Sequence, residues 1–162
     1  MKRNNRALSL LVCLGAYAAA LAAATLVIRL WPPRPLVAAL AADMAATAIV
    51  FLFSLAADNS SLYDPYWSVA PPLLALYWLR AYGGWAGVGP RRAVLLVLLL
   101  AWALRLTWNW LRRWRGLSDE DWRYAAFRGR FGPWYWPVSF AGIHLFPTLI
   151  VFLGCLPVHE PV

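Results

Sequence analysis

Charged side chains are scarce in this sequence. They make up 14% of its 162 residues, against 62% hydrophobic, where a soluble domain is about a quarter charged and half apolar. A body of this size cannot hide that much apolar surface from water, which excludes an ordinary soluble domain. Acids are scarcer still, with Asp+Glu 7 against Lys+Arg 15 and a formal net charge of +8. The basic residues fall between long apolar runs. That pattern suits anionic membrane lipids and topology signals and argues against a nucleic-acid partner. The two cysteines, Cys13 and Cys155, lie inside apolar runs with no neighbour at metal-ligand spacing. They read as small packing residues and fix no redox compartment. Only two histidines are present, so no zinc spacing arises and no metal site is expected. There is no apparent Ser-His-Asp arrangement, no Gly-x-Gly-x-x-Gly and no Walker pattern. Heptads and internal repeats are absent as well.

What the chain does have is apolar length. A bilayer core takes about 20 apolar residues of helix. The first run, 7–30, follows a basic opening and carries no charge from Ala7 to Ile28. A secretory signal peptide would open in the same way, and Ala18 to Ala24 could hold a cleavage site, but the run exceeds the usual signal core. Trp31-Pro32-Pro33-Arg34-Pro35 ends it, because proline lacks a backbone donor and clashes inside a helix. The second run, 36–57, is interrupted by Asp43. An acid there should face protein or a water-filled cavity, and an interhelical hydrogen bond is the plainer use for it. The third run, 66–79, contains Pro71-Pro72 and is short for a span, as a kinked or re-entrant piece would be. Gly83, Gly84, Gly87 and Gly89 then form a flexible turn. The fourth run is 93–111, and the last, 134–157, includes Pro137 and Pro147.

The expectation is one all-α domain over 1–162, a polytopic membrane helical bundle of about five transmembrane helices. Placing the N-terminus inside puts Lys2, Arg3, Arg6, Arg112, Arg113, Arg115, Arg123, Arg128 and Arg130 on the inner side. Only Arg29, Arg34, Arg80, Arg91 and Arg92 fall outside, as the positive-inside rule prefers. If the third run does not cross, everything after it inverts.

Two segments hold polar residues where a membrane protein can least accommodate them. The first, Asp58 to Ser68, carries Tyr63, Asp64 and Tyr66 between two apolar runs. Interface anchoring by aromatics and an Asp-Pro turn would account for part of it. The second, Arg105 to Tyr124, places Arg105, Asn109 and Arg112 on one helix face, at i, i+4 and i+7. A buried Arg105 guanidinium would need a carboxylate, a phosphate or several carbonyls. Asp43 or Asp64 could supply an ion pair across helices, or the arginine could hold a charged cofactor in a polar cavity. Ser118 is a plausible helix N-cap, with Asp121 at the third helical position. His144, in the last run, reads as a hydrogen-bonded core residue.

The chain resembles the N-terminal half of a bacterial membrane family grouped with the steroid 5-alpha-reductases, first described as a domain of unknown function. The resemblance rests on Asn59 through Pro72, which contains Tyr-Asp-Pro-Tyr-Trp-Ser, and on Leu104 to Trp114. It also rests on Glu120 to Tyr124, which contains Asp-Trp-Arg-Tyr, and on Gly142 to Thr148. It covers roughly residues 40–157. It implies a multi-span reductase in a bacterial inner membrane, where the arginine count above makes the N-terminus cytoplasmic. Such an enzyme binds NADPH and delivers hydride to a carbon–carbon double bond conjugated to a carbonyl of a lipophilic, steroid-like or isoprenoid substrate. By this resemblance Tyr63, Asp64 and Tyr66 are candidate catalytic residues. Arg105, Asn109, Asp121, Arg123 and Tyr124 are candidates for holding NADPH.

The family's Arg-His-Pro-Asn-Tyr type cofactor motif belongs to its C-terminal half, which this sequence does not contain. The expectation is therefore a truncated or split member, lacking much of the NADPH site unless a separate chain supplies that half. The alternative of another class is a non-catalytic membrane scaffold or lipid-binding protein on the same fold.

Overall fold

The computed structural model describes residues 5–30, 34–84 and 88–159. The proline stop at Trp31-Pro32-Pro33, Gly87 of the glycine turn, and Lys2 and Arg3 lie outside the described residues. The described chain is an all-α membrane bundle. The charge-free first run forms α1, Arg6–Leu30, and the second forms α2, Pro35–Ala57. Their buried side chains are mostly small, Cys13, Ala16 and Ala20 on α1 and Ala39, Ala42 and Ala46 on α2, and Ala20 and Ala46 share one core cluster. Small residues let two helix backbones approach closely where lipid offers no hydrophobic drive for association.

Helix α2 ends at Asp58, whose φ of 53° is left-handed. A short 3₁₀ turn, Ser60–Tyr63, follows, capped by the Asn59 side chain, which accepts from the Ser61 N–H at 2.7 Å. Helix α3, Tyr66–Ala81, contains Pro71 and Pro72, and Gly83 and Gly84 turn the chain afterwards with positive φ values. Helix α4 is Pro90–Arg113. A continuous but irregular rod completes the bundle. It comprises α5 (Trp122–Phe131), a 3₁₀ turn, α6 (Tyr135–Ser139), a π-helical stretch (Phe140–Leu145) and α7 (Phe146–Gly154), with the short α8 (Leu156–His159) beyond. The last run thus extends back to Trp122. The first helical position there is set by Asp121, not Ser118: the Asp121 carboxylate accepts from the Arg123 N–H at 2.9 Å. The N-cap is therefore Asp121.

Four stretches are long and apolar enough to cross a membrane: α1, α2, α4 and the Trp122–Gly154 rod. Helix α3 is not among them. Its 16 residues rise only ~24 Å, short of a bilayer core of about 30 Å. It nonetheless reverses the chain within the bundle. Arg6 donates to the Leu111 carbonyl and Tyr17 to the Leu62 carbonyl at one end. At the other end Leu79, Leu96 and Val158 cluster.

Candidate functional site

The two polar segments meet. Asn59 donates from its side chain to the Leu117 and Asp119 carbonyls at 2.9 and 3.3 Å. The Ser60 N–H donates to Glu120 Oε1 at 2.9 Å, and the Asp121 N–H to Ser61 Oγ at 2.9 Å. Arg128, on α5, ties both together. It donates to Asp58 Oδ1 at 2.7 Å and to Glu120 Oε1 at 3.2 Å, with its guanidinium 4.1 Å over the Tyr135 ring. Glu120, Arg128 and Tyr135 were not singled out from sequence. Their role depends on hydrogen bonds between residues 8 to 75 positions apart, and only the acid within Glu120–Tyr124 hinted at it.

Beneath this seam runs a buried hydroxyl network. Tyr135 and Ser139 both bond Ser60 Oγ, at 2.6 and 2.9 Å. His144 is fully buried, with Nδ1 3.0 Å from the Ser139 carbonyl and Nε2 3.2 Å from Ser54 Oγ, the core role its sequence setting suggested. Tyr63 and Thr47 share the Thr148 hydroxyl at 2.6 and 2.8 Å. The π-helical stretch carries His144, and such bulges recur at functional sites.

Tyr63 and Tyr66 are both buried and stack at 5.1 Å between centroids. Tyr66 donates to Asp43 Oδ1 at 2.6 Å. The second carboxylate oxygen, Asp43 Oδ2, is buried and has no partner among the described residues. Asp64 points the other way and accepts from the Tyr124 hydroxyl at 2.6 Å. Burial raises its carboxyl to about 6, against the lowering pull of that hydrogen bond. Burial likewise raises the Tyr63 hydroxyl well above the ordinary tyrosine range. Asp121 is lowered, chiefly by the Arg123 side chain that bonds it.

Arg105 joins none of this. It is exposed and forms no ion pair with Asp43 or Asp64 among the described residues. Helix α4 meets the bundle through Leu96, Ala103 and Thr107, the last bonding Ser68 at 2.8 Å. Arg105 stands two residues from both Ala103 and Thr107, so it projects from the opposite face. An apolar neighbourhood in a membrane helix need not mean burial, because the lipid-facing side is apolar too.

Two cavities flank the N-terminal turn of α3. A polar one of about 610 Å³ is lined by Asp64, Trp67, Ser68, Asn109, Asp121 and Arg123, among others. Its carboxylates are Asp64, Asp119, Glu120 and Asp121, and its cations are Arg113 and Arg123. An apolar one of about 860 Å³ lies between α1, α2 and α3, with Asp43 and Tyr66 in its wall. Of the residues proposed for a cofactor, Asn109, Asp121 and Arg123 therefore share one cavity. Tyr124 braces Asp64 beside it, and Arg105 is elsewhere. Of the catalytic candidates, Tyr66 faces the apolar cavity and Asp64 the polar one, while Tyr63 is packed behind. No cluster of three or more metal-ligating side chains exists among the described residues.

The model of a protein family described as a protein of unknown function, DUF1295, matches residues 50–161. The chain belongs to that family. The match takes in the joined segments, both tyrosines and the whole hydroxyl network except Thr47. Asp43 also lies before it. An uncharacterised protein of Schizosaccharomyces pombe is 29% identical over 104 residues. Those residues are 62% of this chain and 30% of the relative, so the chain spans less than a third of that protein's length. No solved structure matches.

Proposed function

We propose that this chain is the substrate-holding part of an NADPH-dependent membrane reductase acting on a conjugated carbon–carbon double bond of a lipophilic substrate. The observation that carries this reading is the Asp43–Tyr66 pair in the wall of an apolar cavity. An enone needs a donor at its carbonyl oxygen, because hydride arriving at the β-carbon drives negative charge onto that oxygen. Tyr66 bonds Asp43 Oδ1 and holds the carboxyl at the cavity wall; Oδ2 is buried without a partner among the described residues, so a protonated Asp43 would donate to the substrate by turning its carboxyl into the cavity. The lining is largely apolar, and a low-dielectric surrounding strengthens that hydrogen bond. NADPH, when bound, would supply the hydride, and a proton from solvent would complete the saturated ketone at the α-carbon.

The polar cavity fits only part of that cofactor. Asp64, Asp121 and Asn109 suit ribose hydroxyls and an amide, and Trp67, Trp110 and Trp122 offer stacking faces. Four carboxylates against two guanidiniums do not suit phosphates. That acidic surplus favours a second reading, a lipid-binding scaffold that keeps the cavity without catalysis. We place the chain in a bacterial inner membrane with its N-terminus cytoplasmic, an orientation that the arginine distribution favours.

The test is enone-dependent NADPH oxidation by the chain in proteoliposomes. Asp43→Leu should lower turnover by about 10²-fold, as loss of one oxyanion donor does, and Tyr66→Phe should lower it through loss of the bond that orients that donor. Turnover unaltered in both variants would refute the assignment. Enone binding without any turnover would favour the scaffold.

A further inference from the structure

The apolar cavity has a charged end. Arg29, in the last turn of α1, and Arg80, in the last turn of α3, both line it, along with Tyr77. Neither arginine forms an ion pair among the described residues. Arginine near the end of a membrane helix ordinarily snorkels to the interface and needs no ligand. Here two of them border one hollow whose wall also contains Tyr17, Asp43 and Tyr66, with Asp43 about 12 Å into α2 from Pro35. From Tyr17 to Arg29 along α1, and from Tyr66 to Arg80 along α3, helical rise gives about 18 and 21 Å. Asp43 Oδ2 is buried and has no partner among the described residues, and a ligand reaches it when the carboxyl turns into the cavity that Asp43 lines. A buried polar atom without a partner carries a penalty that a bound ligand relieves.

We infer that the cavity takes an amphiphile with two polar ends. One is an anionic head, carboxylate or phosphate, held at Arg29 and Arg80. The other is a carbonyl or hydroxyl that meets Asp43 and Tyr66, with an apolar body between them. This rests on the same cavity as the reductase reading and narrows its substrate from a neutral lipophile to an acidic one. It does not depend on hydride transfer. The volume of about 860 Å³ suits a single such molecule, since ligand sites run to roughly 300–1,000 Å³.

The experiment is equilibrium binding to the purified chain in phosphatidylcholine nanodiscs. The probes are 3-oxochol-4-en-24-oate, which carries an enone carbonyl and a carboxylate at opposite ends, and its methyl ester. The acid should bind at least about tenfold more tightly than the ester. The double variant Arg29→Gln, Arg80→Gln should remove that advantage while leaving ester binding unchanged. Both residues are exposed, so folding should survive, and a native circular-dichroism melt checks it. Equal binding of acid and ester, or no binding of either to folded wild type, overturns the inference. So does loss of the advantage when phosphatidylglycerol is added, because the arginines would then be serving bulk headgroups. Acid-selective binding without NADPH oxidation would leave this inference standing while the reductase reading falls. Turnover of the ester with no preference for the acid would do the reverse.

Discussion

Replacing Glu120 with alanine removes one carboxylate from three donors at once. Its Oε1 accepts from the Ser60 N–H at 2.9 Å, the Tyr135 hydroxyl at 3.2 Å and Arg128 at 3.2 Å. Tyr135 keeps Ser60 Oγ and Arg128 keeps Asp58, so neither is stranded. The Ser60 N–H is different. Ser60 is fully buried, and an orphaned buried donor costs about 1–3 kcal/mol. The Arg128 pair is partly solvated and adds at most about 1 kcal/mol. Glu120→Ala should therefore destabilise by about 1–4 kcal/mol. Glu120→Gln keeps an acceptor for Ser60 and should cost about 1 kcal/mol. The assay is reversible unfolding in mixed detergent and denaturant, followed by tryptophan fluorescence. If alanine and glutamine cost the same, the Ser60 bond is not what Glu120 contributes. A loss below about 0.5 kcal/mol for alanine would refute the seam as a structural joint.

Asp64 should show itself in a pH series. Its carboxyl titrates near 6 when folded, above its ordinary 3.8, so the folded state favours the protonated form. Stability contributed by this group is full below about pH 4, is lost as pH rises towards 6, and stays lost above. Asp64→Asn should match wild type near pH 4 and melt higher than it above pH 6; a constant difference across that window would contradict the assignment. Asp121→Ala should lower stability by about 1 kcal/mol through loss of the α5 cap, and Asp121→Asn should restore most of it in the same unfolding assay. Thr148→Val strands the hydroxyls of Tyr63 and Thr47 and should cost about 2–4 kcal/mol. Adding Thr47→Val should cost clearly less than the sum of the two single changes, and strict additivity would show that the hydroxyls do not share one network.

Much of the fold could be read from the sequence because uncharged apolar length translates directly into helix. The runs 7–30 and 36–57 become α1 and α2 within a residue at their starts, and Pro35 opens α2 where a proline's fixed φ is tolerated. The last run resisted, because α5 carries Arg123, Arg128 and Arg130 and looks like a connecting loop until Arg128 is seen paired. Nothing in the sequence announced that the Asp58–Ser68 and Arg105–Tyr124 segments would meet, because the bonds that join them link residues 58 to 60 positions apart. Periodicity put Arg105 and Asn109 on one face, but it does not say which face packs, and only Asn109 reaches a cavity. Asp43 stood out as an expensive residue. Its partner Tyr66 sits 23 positions away on another helix, beyond the reach of any local pattern.

The most direct measurement of the central claim uses NADPH carrying deuterium at the transferable position, a lipophilic enone and the reconstituted chain, with the product read by mass spectrometry. One deuterium at the β-carbon, lost with Tyr66→Phe and Asp43→Leu, is the predicted result. Recovery of the enone unchanged from folded protein, or equal labelling by both variants, would contradict it.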